Sequence, residues 1–418
     1  MWWRPRLAWA AVVTVVLGAA CMARAAPANL PPTVEPAAVA SDGSVSGLDG
    51  FFCPKPEERP RKPVDQFGYG ISSNWSVGDI GYWNNVIAHK LRLDWVGVKI
   101  NWQEFEPERL HPNLTRWQLL DSFMADANWR GLNVLFTVTH PPQWSRVQRN
   151  PTGQLPSPPD DAAEAARFLG TLAARYKGCL HAIEVFNEVN LGRDWQVSSG
   201  QIRAEDYRRM LSIVAPVVRA SNRDIRLIMA APSPSGGSAE PGTAIDDYAW
   251  LDAFIAADGL RYVDCIGVHL NGFNLPPEIA WNAGYNNPAA VFRGPFDNPH
   301  HSWSFTSTLT AYHEKTNRPL CVTEFGWASM EGLGASDAPS GFGFALDNSS
   351  AQQAEYILKA FLMLRESGFV QFAILFNLDY VAKTSVAADQ DSALPYSIID
   401  KKGGTRPAFD AIERLVKN

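Results

Sequence analysis

The chain has 418 residues, 46% of them hydrophobic and 19% charged, with a formal net charge of -6 and a pI near 5.8. That composition suits one large or two ordinary globular domains with a buried core and excludes a disordered or fibrous chain. An acidic balance without a concentrated basic face gives no electrostatic reason to expect a nucleic-acid partner and points to a neutral or mildly charged one.

At the N-terminus, Arg4 and Arg6 precede Leu7 to Ala20, an apolar run too short to cross a bilayer as a stable helix, and Ala23, Ala25 and Ala26 follow. This pattern reads as an export signal over residues 1–26, cleaved after Ala25 or Ala26, which implies a secreted or extracytoplasmic protein. Cys21 leaves open a lipid anchor, although Leu17 stands one place too far from it for a good lipobox. No later stretch is apolar enough for a transmembrane helix. Residues 27–63 hold Pro27, Pro31, Pro32, Pro36, Pro54, Pro56, Pro60 and Pro63 and read as an extended Pro/Ala-rich linker or arm, with Phe51, Phe52 and Cys53 as the residues able to dock. Export would permit disulfides among Cys53, Cys179, Cys265 and Cys321, but their spacing matches no zinc site. Cys179, Cys265 and Cys321 stand at apolar runs and read as small buried hydrophobes.

From Val64 to Asn418 short apolar runs alternate with amphipathic segments, which implies βαβ units and a parallel sheet. The predicted strands are Phe67 to Ile71, Trp95 to Ile100, Asn133 to Thr137, Ala182 to Phe186, Arg226 to Met229, Cys265 to Val268, Leu320 to Thr323 and Phe372 to Phe376. The predicted helices are Tyr82 to Leu91, Trp117 to Arg130, Asp161 to Tyr176, Ala204 to Ala220, Asp246 to Ala256, Ser304 to Lys315, Ala351 to Ser367 and Arg406 to Val416. Eight such units in roughly 350 residues fit a (β/α)8 TIM barrel with loop insertions. A doubly wound open sheet alternates in the same way. Closure is favoured because Gly68-Tyr69-Gly70 lacks the rest of a dinucleotide loop, and because polar, aromatic and acidic residues gather after nearly every strand.

Two strand ends carry the chemistry. The fourth unit reads Phe186-Asn187-Glu188-Val189-Asn190, and the seventh reads Val322-Thr323-Glu324-Phe325-Gly326-Trp327. In a closed barrel both carboxylates project over one mouth, and a carboxyl pair across a cavity is what glycosidic cleavage needs: one acid for the departing oxygen, one carboxylate for the anomeric carbon.

The motifs "FNEVN" and "VTEFGW", in this order and register, resemble glycoside hydrolase clan A, which has its acid/base on strand 4 and its nucleophile on strand 7. The stretch from Asn101 to Ser145, with the Glu106-Pro107 turn and the Pro142 to Trp144 element, resembles the second and third units of the family 39-like and cellulase-like (family 5) branches. The resemblance implies Glu188 as acid/base, Glu324 as nucleophile and Asn187 as the binder of a sugar 2-hydroxyl. It implies a retaining O-glycosyl hydrolase acting on a poly- or oligosaccharide, β-linked as in most of the clan, with no metal or organic cofactor. Like charges about 5 Å apart disfavour joint ionisation, so Glu188 is expected to have a raised pKa beside an ionised Glu324.

His269 matches a position where the clan has His followed two residues later by Tyr; here the second residue is Asn271. Lys99 stands where many members carry Arg, and it either points into the mouth or solvates a strand edge. His140, after the third strand, is a candidate for sugar contact. Trp75, Trp102, Trp144 and Trp327 follow predicted strands, where flat faces could stack on sugar rings. Phe376-Asn377 stands where the clan commonly places a Trp after strand 8, so Asn377 joins the substrate-binding candidates. The segment Asn271 to Ser302 is expected to roof the cleft, with Trp281, Tyr285 and Phe292 lining it, and His300-His301 to lie in a solvated loop without a metal. Two rivals keep the same barrel: a catalytically silent glycan-binding protein, and a transglycosylase using the same two carboxylates.

Overall fold

A computed structural model of the chain describes residues 50–148, 156–195, 201–238, 240 and 242–417. The 1–26 signal segment and Cys21 lie outside the described residues. The eight strands are β1 (Gly68–Ser72), β2 (Trp95–Asn101), β3 (Asn133–Thr139), β4 (Ala182–Val185), β5 (Arg226–Met229), β6 (Ile266–Gly272), β7 (Leu320–Trp327) and β8 (Val370–Leu375). Each coincides with an expected strand. The largest departures are β6 and β7, which end at Gly272 and Trp327 rather than at Val268 and Thr323.

The strands are all parallel, in the order β5-β4-β3-β2-β1-β8-β7-β6. A parallel bridge between Ile228 and Cys265 joins the two ends, with the Met229 amide donating to the Cys265 carbonyl at 3.2 Å. The approach at this seam demands glycine: a Cβ on Gly267 would lie 2.1 Å from the Met229 carbonyl oxygen. The chain is therefore a (β/α)8 barrel.

The helices are α1 (Ile80–Asn85), α2 (Trp102–Phe105), α3 (Leu114–Trp129), α4 (Ala162–Arg175), α5 (Ala204–Ser221), α6 (Asp247–Ala256), α7 (Gly294–Asp297), α8 (Phe305–Thr316), α9 (Ser350–Glu366) and α10 (Pro407–Arg414). Local chemistry sets their starts. Asp79, Asn113, Asp161, Asp246 and Ser304 cap with their side chains, and Ser349 with Gln352 forms a capping box. Helical spacing then buries one face, as with Trp117, Leu120, Phe123, Met124 and Ala127 of α3. No helix among the described residues is long and apolar enough to cross a membrane.

Alternation divides each strand between two environments. On β2, Val96, Val98 and Ile100 join the core beneath the helices, whereas Trp95 belongs to a separate layer with Leu135, Ala182, Ile228, Cys265, Cys321, Phe372 and Ile374. Trp95 stacks on Phe372 there at 4.4 Å. Farther along the same inward face lie Glu184 and, toward the strand ends, Lys99.

The reading of three cysteines as unpaired hydrophobes is overturned: Cys53 bonds to Cys179, and Cys265 to Cys321. Cys265 and Cys321 belong to adjacent parallel strands, which brings their Cα atoms to 5.9 Å across 56 residues of sequence. The other bridge ties down residues 50–63, the described end of the arm; residues 27–49 lie outside the described residues. Phe51 packs edge-on against Tyr176 at 5.0 Å, Arg59 donates to the carbonyls of Arg130 and Leu93, and Asn133 donates to the Lys62 carbonyl at 2.9 Å. Phe52 does not dock; it is 83% exposed.

Candidate active site

Glu188 leaves the end of β4 through a kinked backbone, with positive φ at Phe186 (73°) and again at Glu188 (41°). Such angles are costly for residues with side chains and persist where the surroundings impose them. Glu324 reaches the mouth by a different device. Val322 pairs with Val268 and Ala373, but Glu324 pairs with His269 and Phe325 with Leu375, so β7 holds one extra residue against both neighbours. This bulge lets consecutive residues work at one end of the barrel: the Thr323 hydroxyl donates inward to Glu184 at 2.8 Å, and Glu324 meets Lys99 and His269.

His269 stands between the two carboxylates. Its Nδ1 lies 3.0 Å from Glu188 Oε1 and its Nε2 3.9 Å from Glu324 Oε1. Burial opposes charge on the ring, but Glu324 and Glu188 outweigh it and raise the imidazole to about 9, so the bridging group is a cation at neutral pH. Lys99 Nζ is 2.8 Å from Glu324 Oε1 and 5.3 Å from the centre of the Phe376 ring. Lys99 therefore points into the mouth, and the carboxylate keeps its ammonium charged against the cost of burial.

The expected raised pKa of Glu188 is not found. Burial alone would raise it, but the hydrogen bond and charge of His269, and then Arg193, hold its carboxyl well below the usual carboxylate range. Arg193 Nη2 lies 2.8 Å from Glu188 Oε2, while its Nε contacts Asp194 at 3.2 Å. Arg193-Asp194 is a charged dipeptide soon after the fourth strand, a signal present in the sequence whose pairing with Glu188 only the fold reveals.

Asn187 is buried beside Glu188, and its amide oxygen has no partner among the described residues. His140 is exposed, in a left-handed conformation after β3; partial burial of its ring, and then Lys99 and Arg146, keep the imidazole below its ordinary range. Asn377 is corrected: its side chain is committed to the fold, donating to the Ala393 carbonyl and accepting from the Tyr380 amide and the Ser397 hydroxyl. Trp102 and Trp327 are corrected too. Both are fully buried. Trp102 stacks on Phe168 at 4.9 Å and donates to Glu106, and Trp327 donates to the Leu275 carbonyl at 2.8 Å, so neither presents a face to a ligand. Trp75 is also buried, with its indole on the Lys99 carbonyl. Trp144 is half-buried, edge-on to Trp102, and donates to the Glu106 carbonyl.

The segment after β8 supplies what sequence spacing could not reveal. Phe376 packs edge-on against both Tyr380 and Tyr396. The phenols of both tyrosines are pushed up, foremost by burial; Glu324 acts on each, and Glu188 on Tyr396 as well. Deeper in the barrel, buried Glu184 accepts from Thr137 and Thr323 at 2.8 Å and from the Ala231 amide at 3.0 Å, tying together strands far apart in sequence.

The long segment after β6 is not a uniform roof. Phe292 packs with Phe273, Phe344 and Trp303, whereas Trp281 and Tyr285 are exposed. His300 and His301 are not simply solvated: their Nε2 atoms lie 3.5 and 3.0 Å from Asp246 Oδ2. These are the residues with metal-ligand spacing among the described ones. The Ser302 amide donates to His300 Nδ1, which leaves the His300 Nε2 proton facing Asp246 and makes the ring a poor ligand.

Solved structures share this architecture. A family 39 glycoside hydrolase from the gut symbiont Bacteroides cellulosilyticus WH2 is 16% identical with a TM-score of 0.57, the match covering 86% of this chain and 64% of that one. Xylanase 10B from Thermotoga maritima is 14% identical (TM-score 0.53; 84% of this chain, 94% of that one). An exo-beta-1,4-mannosidase from Opitutaceae bacterium strain TAV5 is 13% identical (TM-score 0.55; 83% and 58%). At these identities the likeness is one of fold, and the chain spans less than two thirds of the family 39 and mannosidase structures. No family model matches the sequence, and no curated protein does.

Proposed function

We propose that this protein is a retaining O-glycosyl hydrolase of the clan A kind, acting on a β-linked poly- or oligosaccharide without metal or organic cofactor. The observation that carries the reading is the placing of Glu188 and Glu324, from β4 and β7, within reach of one buried imidazole in one mouth. Glu324 attacks the anomeric carbon while Glu188 gives a proton to the departing oxygen; Glu188 then takes a proton from the water that releases the sugar. Lys99 Nζ and His269 Nε2 bring positive charge to 2.8 and 3.9 Å from Glu324 Oε1, the oxygen that would carry the attack. The free amide oxygen of Asn187 suits a sugar 2-hydroxyl, whose hydrogen bond strengthens as charge develops. An extracytoplasmic location belongs to the same proposal, supported by two disulfides.

The test is proton NMR of the first-formed product during digestion of a polysaccharide panel, together with trapping by 2-deoxy-2-fluoroglycosides and peptide mapping. Retention of configuration and a label on Glu324 are expected. Inversion would reassign Glu324 as a base activating water. An added alcohol acceptor that captures most of the product would make the protein a transglycosylase, and binding without turnover would leave a silent glycan-binding barrel.

A further inference from the structure

We propose that the sugar bound at this mouth carries a carboxylate, as uronic acids do, and that this carboxylate takes Arg193 away from Glu188, making the acid/base competent as the substrate binds. The inference rests on the glycosidase reading above and adds the class of sugar to it.

A general acid must present a protonated oxygen to the departing group. In this site both oxygens of Glu188 face cationic donors: Oε1 meets His269 Nδ1 at 3.0 Å, and Oε2 meets Arg193 Nη2 at 2.8 Å. One donor must leave before Glu188 can hold a proton and offer it. His269 cannot, because its side chain is fully buried within β6 and also faces Glu324. Arg193 can. It lies in the segment after β4, its side chain is 59% exposed, and its further partner is Asp194, reached through Nε at 3.2 Å.

A guanidinium that leaves one carboxylate keeps its charge and calls for another acceptor. Once Glu188 is protonated, Lys99, His269 and Arg193 face the carboxylates of Glu324 and Asp194, and positive charge is left over. Other charges near the mouth do not absorb it: Glu104 pairs with Arg116, Asp379 with Lys383 at 2.7 Å, His140 is held toward its neutral form, and burial pushes the carboxyl of Glu184, deeper in the barrel, toward its neutral form too. A neutral sugar would leave this imbalance standing, whereas a sugar carboxylate would remove it. The planar fork of a guanidinium matches a carboxylate with two parallel hydrogen bonds, and Arg193 already holds one, so the exchange is like for like.

The probes are oligosaccharides rich in β-linked glucuronic acid, each matched with the same oligosaccharide after reduction of its carboxyl groups. Wild-type kcat/KM should favour the acidic member of a pair on the order of 10- to 100-fold, the range of one charge-assisted contact. Arg193→Gln should lose that preference, and Arg193→Lys should restore part of it. The alkaline limb of kcat/KM should also move to higher pH in Arg193→Gln, because Glu188 has lost a cation that holds its pKa down; a merely structural arginine would not move that limb. Equal or better wild-type turnover of the reduced members, or an unmoved limb in Arg193→Gln, overturns the proposal and leaves the glycosidase reading standing. No turnover of any pair and no fluorosugar label on Glu324 would remove both.

Discussion

His269 Nδ1 donates to Glu188 Oε1 at 3.0 Å while the opposite edge of the same ring faces Glu324, so one buried imidazolium serves both carboxylates. Strand register produces this: His269 and Glu324 are Cα partners across β6 and β7, and Glu188 enters from the far side of the seam between β5 and β6. The ring is unreachable by solvent, and Glu324 first, then Glu188 and Glu184, favour its charged form against the cost of burial.

This dependence can be titrated. In the wild type the His269 ring should lose its proton near pH 9. In the Glu188→Gln/Glu324→Gln double variant it should titrate below the ordinary histidine value of about 6.5, because burial then acts with little opposition. Histidine side-chain NMR measures both. A folded-state pKa above the unfolded one adds stability that is complete below about pH 6.5 and disappears as pH rises through about 9, on the order of a few kcal/mol. Urea midpoints should therefore drop across that window in the wild type and stay flatter in the double variant.

The two carboxylates should separate by role when neutralised. Glu324→Gln is expected to lose turnover on the order of 1,000-fold or more for every substrate. Glu188→Gln should lose about as much on natural glycans but far less on aryl glycosides, whose phenolate departs without a proton. Steady-state rates on both substrate types decide this. Unchanged behaviour in both variants would point to a glycan-binding barrel.

Replacing the buried tryptophans should reveal packing rather than recognition. Trp102→Ala removes a ring stacked on Phe168 and leaves Glu106 short of a donor, and should cost about 3–5 kcal/mol of stability. KM should change little for the fraction that remains folded. Trp144→Ala, at a half-exposed position, should act in the opposite sense, with a modest loss of stability and a rise in KM if it meets sugar. Chemical denaturation and kinetics on the same preparations test the contrast.

Reductant should open the two disulfides in order. Cys53 is half-exposed, whereas Cys265 and Cys321 are buried, so mild reduction and alkylation should label Cys53 first and spare the barrel bridge until unfolding. With sequence separations of 126 and 56, each crosslink restricts the unfolded chain by roughly 4–5 kcal/mol in the chain-entropy picture. Peptide mapping after timed alkylation, paired with thermal melts, follows both effects.

The eight βα units and the positions of Glu188 and Glu324 were legible in the chain because they are written locally. Apolar runs with capping residues between them set strands and helices, and a carboxylate at an apolar strand's end is visible without knowing what lies opposite. Lys99 was legible as an inward or outward choice, and only the parity of β2 within a closed barrel settled it. The tryptophans misled because a residue just beyond a strand can turn toward the helices as easily as toward the mouth, and sequence does not record which.

What the tertiary structure alone decided depends on closure and register. The extra residue in β7 sends Thr323 inward to Glu184 and Glu324 into the mouth, and nothing in Val322-Thr323-Glu324-Phe325 marks it, since a bulge exists only relative to neighbouring strands. The same holds for the Cys265–Cys321 bridge, for the tyrosines after β8, and for the meeting of Glu188 with His269 and then Arg193, which reverses the pKa shift that two facing carboxylates suggested. Periodicity tells each segment which face it buries; the charges that meet across a barrel mouth are set only when the ring of strands closes.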